Sequence, residues 1–219
     1  MDPVKNVLLV CTGNTCRSPM AEAILARLAG EEGLKVSVRS AGLFAMDGAE
    51  ASENTRRVLG ERGIRFSHRA RSIRPELIDW ADLILTMTLD HKRRLISMNP
   101  ESVGKVFTLK EYALTDGETR ERIRRLEQMT AELETRRALG SGKGKSSDAG
   151  DAIRSLEESI RREREALEKE GVPLEDLDIP DPFGGDLETY RRCADRLEEL
   201  LRRIVERWRR EEETRKDGH

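Results

Sequence analysis

Four short apolar segments, separated by segments with helical spacing, constrain the fold of this chain more than any other feature. They are Val4 to Val10, Val36 to Ala41, Ala81 to Met87 and Lys105 to Leu109. Short apolar runs of this kind are typical of strands that are buried on both faces of a parallel sheet. Because helical segments separate them, the pattern predicts an α/β fold: a small doubly wound, four-stranded parallel sheet with helices on both faces.

The helical segments between these strands have recognisable ends. The first is expected to begin at Ser18 and Pro19, since serine is a good N-cap and proline suits the first helical turn. The others are expected at Ala51 to Arg62, Leu89 to Met98 and Asp186 to Arg210. Ligands of open α/β sheets bind beyond the carboxyl ends of the strands, so the turn that starts at Cys11 is the predicted functional site.

A charged block from Thr115 to Glu170 differs from the rest of the chain. It has 27 charged side chains in 56 residues, whereas all eight aromatic residues and all three cysteines lie outside it. Sparse heptad-like apolar stripes flank a segment rich in glycine and serine at 140–150, which is typical of a flexible linker. We therefore expect one α/β domain, residues 1–114 and 171–219, with an inserted helical hairpin at 115–170.

Composition and charge exclude several classes of protein. The net charge is −2, from 40 basic and 42 acidic side chains, which argues against a nucleic-acid-binding surface. No segment approaches the run of about 20 apolar residues that spans a membrane, and the N-terminus lacks a signal-peptide pattern. Three cysteines are too few for a secreted domain built on disulfides. We expect a cytoplasmic protein that binds neither nucleic acid nor membrane.

The segment CTGNTCRS, from Cys11 to Ser18, has the composition of an anion-binding catalytic loop. Cysteine reacts as a thiolate, and free N–H groups at the start of a helix favour an anion there. The same N–H groups suit phosphate oxygens, and the Arg17 guanidinium can bind two of them at once. The Ser18 hydroxyl can donate to the thiolate. We predict that Cys11 is a nucleophile and that the loop holds a phosphoryl group.

The residues of this loop have separate predicted roles. The phosphate-binding residues are expected to be Thr12, Gly13, Asn14, Thr15, Cys16, Arg17 and Ser18. Gly13 is expected to allow a backbone geometry that a side chain would block, and Asn14 to hold the loop through side-chain hydrogen bonds. Ser40 and Gly42, at the end of the second strand, are expected to shape the wall of the site.

A thiolate that attacks phosphorus needs an acid to protonate the leaving group. The best candidate is Asp181, in the segment IPDPFGG that precedes the last helix. Its flanking prolines restrict the backbone and can fix the carboxylate in place. Phe183 offers a flat wall for the side chain of the substrate.

The loop CTGNTCRSPMAEA, the segment RSAG at 39–42 and the late DPFGG resemble the low-molecular-weight protein tyrosine phosphatase family. The resemblance covers roughly residues 4–114 and 171–210, so the α/β part would be the phosphatase domain. It implies phosphorylated proteins as substrates and a phosphocysteine mechanism without metal or cofactor. Cys11 would be the nucleophile, Arg17 the phosphate binder, and Asp181 the acid and then the base.

A finer resemblance points to the bacterial protein-arginine phosphatase branch of this family. It rests on Thr15, where tyrosine phosphatases carry an aliphatic residue, and on ILTMT, HK and TLKEY at 84–88, 91–92 and 108–112. A phosphoguanidinium is polar and carries N–H donors, which a threonine hydroxyl can accept. We therefore expect hydrolysis of phosphoarginine, with Thr15 and Phe183 as specificity residues.

Three other functions stay open on the sequence alone. The first is a tyrosine phosphatase of the same fold. The second is an arsenate reductase, whose redox relay needs further cysteines, whereas Cys193 is the one cysteine outside the loop. The third is an interaction module, in which the 115–170 hairpin binds a partner or a second copy of the chain.

Several single residues have a structural interpretation beside a functional one. Cys16 is either a small packing residue or the partner of Cys11 in a reversible disulfide that protects the nucleophile from over-oxidation. Cys193 is expected in the core. His68 and His91 lack the spacing of metal ligands, so both are expected to be structural or solvated, and no metal site is predicted.

Overall fold

The computed structural model describes residues 6–140, 147–172 and 174–217. The chain divides into two compact units. One consists of Met1–Leu114 with Leu177–His219, and the other of Thr115–Asp176. We call the first the catalytic unit, because it contains the predicted catalytic loop at 11–18, and the second the helical unit.

A four-stranded parallel sheet forms the centre of the catalytic unit. Its strands are β1 (Asn6–Cys11), β2 (Ser37–Gly42), β3 (Leu83–Thr86) and β4 (Val106–Thr108). The order is β2-β1-β3-β4 and every neighbouring pair is parallel, which confirms the predicted sheet. The strands differ from their predicted limits by a few residues. Part of the first predicted strand, residues 4–5, lies outside the described residues.

Eight α-helices lie within the described part of the chain. They are α1 (Arg17–Glu31), α2 (Glu53–Glu61), α3 (Pro75–Trp80), α4 (Leu89–Met98), α5 (Leu109–Leu114), α6 (Gly117–Gly140), α7 (Ser147–Lys169) and α8 (Leu187–Asp217). A 3-10 helix also occupies Pro100–Lys105. None of the described helices combines the length and the apolar character needed to cross a membrane.

The beginning of α1 differs from the prediction. Cys16, and not Ser18, occupies the N-cap position, and its side chain makes no capping hydrogen bond. Ser18 lies inside the first turn with its hydroxyl on Cys11, at 3.0 Å from the sulfur. Serine is favoured at helix starts because its oxygen can accept from the backbone. Here that oxygen has another partner, so the capping prediction for Ser18 is wrong.

Helices pack on both faces of the sheet, as predicted. Side chains that alternate along a strand point to opposite faces. Leu9 and Leu85 lie in the apolar core shared with α1 and α8, whereas Leu8 and Ile84 lie in the core shared with α3 and α4. All four side chains are fully buried, and truncating such a side chain to alanine costs about 2–5 kcal/mol. These two cores hold the strand ends, and hence the site, in place.

The helical unit contains the two helices that the charged block predicts. Ile123, Leu126 and Leu167 form its small buried core. Arg122 joins the two helices through hydrogen bonds of 2.7 Å to Glu163 and 2.8 Å to Glu170. Both helices extend into the predicted linker at 140–150, because α6 ends at Gly140 and α7 begins at Ser147. The rest of that linker, residues 141–146, lies outside the described residues.

Candidate active site

The loop between β1 and α1 lies at the carboxyl end of the central strand pair. Cys11 is the last residue of β1 and is buried, and Arg17 is the first residue of α1. β1 has β2 on one side and β3 on the other. The segments that follow these two strands therefore border the loop, as the rule for open α/β sheets predicts.

The sulfur of Cys11 has two hydrogen-bond partners. Ser18 Oγ lies 3.0 Å away, and the backbone N–H of Asn14 donates to the sulfur at 3.3 Å. Ser18 Oγ also accepts from Asn14 Nδ2 at 2.9 Å, and two acceptors lie within reach of its proton. They are the sulfur at 3.0 Å and the Ala41 carbonyl oxygen at 3.5 Å, of which a charged sulfur is the nearer and the stronger acceptor. Donors of this kind stabilise a negative charge on sulfur. The geometry therefore suits a thiolate nucleophile.

Asn14 fixes the shape of the loop. It is fully buried and has a φ of 54°, the one positive φ among the described non-glycine residues. Its Nδ2 donates to Ser18 Oγ at 2.9 Å and to Ser40 Oγ at 2.7 Å, and its Oδ1 accepts from the N–H of Arg71 at 2.9 Å. These three bonds offset the cost of the left-handed conformation, which is about 1–2 kcal/mol.

The glycine that the loop requires is Gly42, not Gly13. A Cβ on Gly13 would meet only Thr15 Oγ1 at 3.6 Å, an ordinary contact, and Gly13 does not have a positive φ. The prediction that a side chain at Gly13 would block the backbone is therefore wrong. A Cβ on Gly42, in contrast, would lie 2.5 Å from the carbonyl oxygen of Thr12 and 2.9 Å from the nitrogen of Asn14. Gly42 thus lets β2 approach the loop closely.

A second layer of polar groups supports Asn14. Ser40 Oγ donates to Glu22 at 2.5 Å, and His68 Nε2 donates to the carbonyl oxygen of Asn14 at 2.8 Å. Burial raises the pKa of Glu22 and lowers the pKa of His68. Nothing local in the sequence indicates that His68 reaches a residue 54 positions away.

Arg17 is buried beside the nucleophile, and its guanidinium has three partners. Nη2 donates to Asp181 Oδ2 at 2.6 Å and to Thr12 Oγ1 at 3.3 Å, and Nη1 donates to the carbonyl oxygen of Ile179 at 3.2 Å. Arg17 Nε is buried and has no hydrogen-bond partner among the described residues. A buried donor without a partner is costly, and a bound oxyanion is the kind of ligand that would satisfy it.

The segment that contains the predicted acid, Asp181, lies beside the loop after β1 although it is far away in the sequence. Its backbone is tied to the segment after β3, because the N–H of Ile179 donates to the carbonyl of Met87 at 2.8 Å. The N–H of Leu89 donates to Asp178 Oδ1 at 2.8 Å. The Asp181 side chain is 46% exposed and Phe183 is 76% exposed. Asp181 therefore combines contact with Arg17 and access to solvent, and Phe183 is free to contact a ligand.

Thr15 and Cys16 close the loop toward α2. The carbonyl of Thr15 accepts from the N–H of Ser52 at 2.9 Å and from Thr55 Oγ1 at 3.1 Å. Cys16 Sγ lies 3.3 Å from the hydroxyl of Tyr190, and burial together with this contact raises the pKa of Tyr190 to about 12. All three cysteines are free thiols, so the reversible disulfide between Cys11 and Cys16 stays a prediction.

Two more residues border the loop: His91, which the sequence predicts only as a structural or solvated residue, and Phe44, which no sequence motif singles out. His91 Nε2 lies 2.9 Å from Thr12 Oγ1, and burial, followed by the charge of Arg17, lowers the pKa of His91 to about 4. Phe44 donates its N–H to the carbonyl of Thr12 at 2.9 Å and exposes 67% of its surface. Both follow the carboxyl end of a strand beside β1. The rule on ligand sites could have singled them out, had it been applied to β2 and β3 as well.

Neither Cys193 nor a group of metal-ligating side chains adds a second reactive centre to the described residues. Burial raises the pKa of Cys193 to about 12, so this side chain stays a thiol at physiological pH and is a poor nucleophile. Within residues 6–140, 147–172 and 174–217, no three His, Cys, Asp or Glu side chains are grouped so that they could hold a metal ion.

Comparison with known proteins shows the family of the chain. The family model described as "Low molecular weight phosphotyrosine protein phosphatase" matches residues 6–138. A protein-arginine-phosphatase of Geobacillus stearothermophilus is 35% identical over 204 residues, covering 92% of this chain and 94% of the relative. A probable low molecular weight protein-tyrosine-phosphatase of Ralstonia solanacearum, EpsP, is 43% identical over 115 residues, covering 52% and 76%.

A solved structure extends the similarity to the fold. It is a cysteine-to-serine mutant of the YwlE arginine phosphatase with a phosphorylated active-site serine. It shares 32% sequence identity with this chain and superposes with a TM-score of 0.62, covering 92% of this chain and 94% of its own. Family model, relatives and fold agree, and the chain belongs to the low molecular weight phosphotyrosine protein phosphatase family.

Proposed function

We propose that the protein hydrolyses phosphoarginine in phosphorylated proteins through a phosphocysteine intermediate. The extent of similarity carries this proposal. The protein-arginine-phosphatase relative matches 92% of the chain, whereas the tyrosine phosphatase relative matches 52%. Thr15, whose hydroxyl can accept from the N–H donors of a phosphoguanidinium, stands in the loop after the nucleophile.

In the first step, the thiolate of Cys11 attacks phosphorus and the bond from phosphorus to the guanidinium nitrogen breaks. Arg17 exchanges its bond to Asp181 for bonds to the phosphoryl oxygens, and its unpartnered Nε adds one more donor. Once released from Arg17, the exposed Asp181 carboxylate takes up a proton from solvent and gives it to the departing nitrogen. The nitrogen also keeps the electron pair of the broken bond, so the arginine side chain leaves as a guanidinium. The phosphoryl group is now bound to sulfur.

In the second step, water attacks the phosphocysteine and the bond from sulfur to phosphorus breaks. Asp181 takes the proton of the water, and Ser18, at 3.0 Å from the sulfur, stabilises the departing thiolate. The phosphorylated active-site serine of the related structure supports a covalent step at this position.

In this proposal, Thr15 contacts the group that leaves. The two hydrogen bonds to its carbonyl fix its backbone, and the residue is half-buried, four positions after the nucleophile in the same loop. Its Oγ1 lies 3.6 Å from Cys16 Sγ. A hydroxyl there can accept from the N–H groups of a phosphoguanidinium, whereas an aliphatic side chain would leave those donors unpaired. Phe183, largely exposed, can pack on the guanidinium plane.

The test compares the two substrates in one peptide sequence. We expect kcat/KM for the phosphoarginine peptide to exceed that for the phosphotyrosine peptide, and Thr15→Ile to shift the ratio toward phosphotyrosine by at least about tenfold. Thr214→Ile, an exposed position on α8, is the matched control and should leave the ratio unchanged. A wild-type protein that prefers phosphotyrosine would overturn the proposal.

A phosphotyrosine specificity is the second candidate. The 43% identity with the tyrosine phosphatase relative, over 115 residues, favours it. The same assay decides between the two, because both specificities use the same nucleophile. An arsenate reductase finds no support, since the buried Cys193 thiol is a poor member of a redox relay.

We also propose that the helical unit is an insertion that contacts a partner through charged groups. The described residues of this unit expose no large hydrophobic side chain, since those exposed are Phe44, Met46, Met98 and Phe183. An apolar self-association surface is therefore disfavoured, and binding should weaken with salt. The test replaces residues 115–176 by a short Gly-Ser linker. Unchanged partners and unchanged activity on protein substrates would refute an interaction role.

We propose that the protein acts in a reducing compartment, consistent with a cytoplasmic location. The reason is chemical: Cys11 must stay a free thiol to act as a nucleophile. Cell fractionation followed by immunodetection tests this, and recovery of the active protein from an oxidising compartment alone would contradict it.

A further inference from the structure

Thr12 and His91 form a hydrogen-bonded pair that the mechanism above does not use. Thr12 is the first residue after the nucleophile, and His91 lies in the first turn of α4, beyond the end of β3. Thr12 Oγ1 lies 2.9 Å from His91 Nε2 and accepts from Arg17 Nη2 at 3.3 Å. Arg17 Nη2 is the same atom that contacts Asp181, at 2.6 Å. A single hydrogen bond therefore connects the pair to the Arg17 guanidinium, the group that is proposed to hold the phosphoryl oxygens.

The surroundings of the His91 ring determine which of its nitrogens carries the proton. The ring is buried, and burial lowers its pKa to about 4, so it is neutral at physiological pH. Its Nδ1 is buried without a hydrogen-bond partner within the described residues. A proton on Nδ1 would leave an orphaned buried N–H, which native proteins avoid more strongly than an unpaired acceptor. The favoured tautomer has the proton on Nε2.

This tautomer fixes the direction of the bond to Thr12. His91 Nε2–H then donates to Thr12 Oγ1, as Arg17 Nη2–H also does. A hydroxyl oxygen has two lone pairs and one proton. Because both lone pairs are occupied, the Thr12 hydroxyl can make a further hydrogen bond only by donating its proton. Thr12 itself is exposed, so this proton is accessible to a ligand.

We propose that His91 is a positioning residue that turns the Thr12 hydroxyl into a hydrogen-bond donor for the phosphoryl group. The loop would thus offer the Thr12 side chain in addition to its backbone N–H groups and Arg17. The inference rests on the proposed phosphatase function, because it assumes that a phosphoryl group occupies the loop. The inference assigns a role to the side chains of Thr12 and His91, which take no part in the bond-breaking steps described above.

The first experiment reads the tautomer directly and needs no activity. Long-range ¹H–¹⁵N correlation spectra of ¹⁵N-histidine-labelled full-length protein distinguish a protonated Nε2 from a protonated Nδ1. His91→Phe identifies the signals of this ring among the three histidines. We expect a neutral ring with its proton on Nε2 at pH 7. A proton on Nδ1, or an exchange average of the two tautomers, would overturn the inference.

The second experiment measures the affinity of the loop for inorganic phosphate as a competitive inhibitor. Thr12→Val keeps the branched shape but removes the hydroxyl, and it should raise the inhibition constant by roughly 10-fold to 100-fold. Thr12→Ser keeps the hydroxyl and should restore most of the affinity. An unchanged inhibition constant in Thr12→Val would show that the hydroxyl does not bind phosphate, and would refute the proposal.

A matched pair of variants tests whether His91 acts through Thr12. The side-chain nitrogen of glutamine reaches about as far as Nε2 of histidine, whereas that of asparagine reaches only as far as Nδ1. We therefore expect His91→Gln to keep phosphate affinity and His91→Asn to lose it. The double variant Thr12→Val/His91→Asn should be no weaker than Thr12→Val alone, because the two residues act as one unit. Additive losses would overturn the inference.

The outcomes separate this inference from the proposed function. If the wild-type protein neither hydrolyses phosphorylated peptides nor binds phosphate, the proposed function fails. If it does both, but the tautomer, the threonine series or the double variant disagrees, the function stands and the role of His91 is rejected.

Discussion

The two units of the protein differ in how deeply their hydrogen-bonded polar residues are buried. In the catalytic unit, Asn14 and Arg17 are buried and bond to residues far along the chain, such as Ser40 and Asp181. In the helical unit, described ion pairs such as Arg136 with Glu132, at 2.5 Å, join neighbours on one exposed helix face. Arg122, which bonds to Glu163 and Glu170, is itself partly exposed. The number of charged residues in a unit therefore says little about their importance for stability, whereas their burial says much.

The energies differ accordingly. A buried polar group that loses its partner costs about 1–3 kcal/mol, and more if it is charged. An exposed ion pair contributes about 0–1 kcal/mol. The contrast predicts severe effects for substitutions of the buried polar residues in the loop after β1 and small effects for substitutions of exposed charged residues on α6 and α7. The five tests below follow the expected size of the effect.

Replacing the nucleophile has the largest expected effect. Cys11→Ser should lower kcat by at least about a thousandfold, because a serine hydroxyl in this place has no base to activate it. The backbone N–H groups of the loop and the Arg17 guanidinium remain, so binding of inorganic phosphate should persist. Steady-state kinetics and calorimetry measure the two quantities. Substantial turnover by this variant would rule out a covalent step on sulfur.

Replacing the proposed acid should have the next largest effect. Asp181→Asn removes the proton donor and should lower kcat by roughly 100-fold to 10,000-fold. The loss should shrink for substrates with good leaving groups, which depart without protonation. A series of aryl phosphates measures this dependence. An equal loss for good and poor leaving groups would show that Asp181 does not act as an acid.

Removing the side chain that shapes the loop should cost stability as well as activity. Asn14→Ala breaks three hydrogen bonds and puts alanine at a φ of 54°, so we expect a loss of about 2–4 kcal/mol in the free energy of unfolding. Asn54→Ala is the control, because Asn54 makes one long bond of 3.4 Å to Gly185. Denaturant unfolding measures both, and equal losses would contradict the contrast.

The buried His91 makes stability depend on pH. Its pKa falls from 6.5 to about 4 on folding, so the unfolded state takes up the proton first as the pH decreases. Stability from this group is complete above pH 6.5 and decreases between pH 6.5 and about 4, by about 3 kcal/mol at most. His91→Gln removes this titration. Unfolding measured across the window should therefore show a shallower slope for the variant, and identical slopes would contradict the assignment.

Removing an exposed pair in the helical unit should have the smallest effect. Arg136→Ala deletes the pair with Glu132 on a solvated helix face and should change the free energy of unfolding by less than about 0.5 kcal/mol. Kinetic constants should stay at their wild-type values. A large loss of stability or activity would show that the helical unit is not the solvated region that its exposed charges indicate.

The sequence predicts the fold well where structure depends on neighbours in the chain. Continuous apolar runs indicate the four strands, and helical spacing with a following Asn-Pro gives α4 its observed limits, Leu89–Met98. The short helices α3 and α5, six residues each, escape because they complete too few turns to show a period. The last helix continues to Asp217, past the predicted end at Arg210, in a charged stretch without a stop signal.

The residues of the candidate site also divide into those that local sequence reveals and those that depend on tertiary structure. Cys11, Arg17 and Ser18 are recognisable because they stand in one loop, and Asp181 because its motif is distinctive. His68, His91 and Phe44 are not, since their place in the site depends on how other strands and loops come together. The strain at Asn14 and the close approach at Gly42 are also tertiary properties, which explains why the prediction for Gly13 fails.

The pairing of Arg17 with Asp181 has a consequence for the choice among anions in the cell. Any ion that binds Arg17 through Nη2 must displace a carboxylate that already holds this atom at 2.6 Å. A singly charged ion such as chloride brings no more negative charge to Arg17 than the carboxylate does. It also has no second acceptor atom for the two N–H groups of the guanidinium. A doubly charged tetrahedral group offers both, so the abundant monovalent salt of the cell competes poorly for the site.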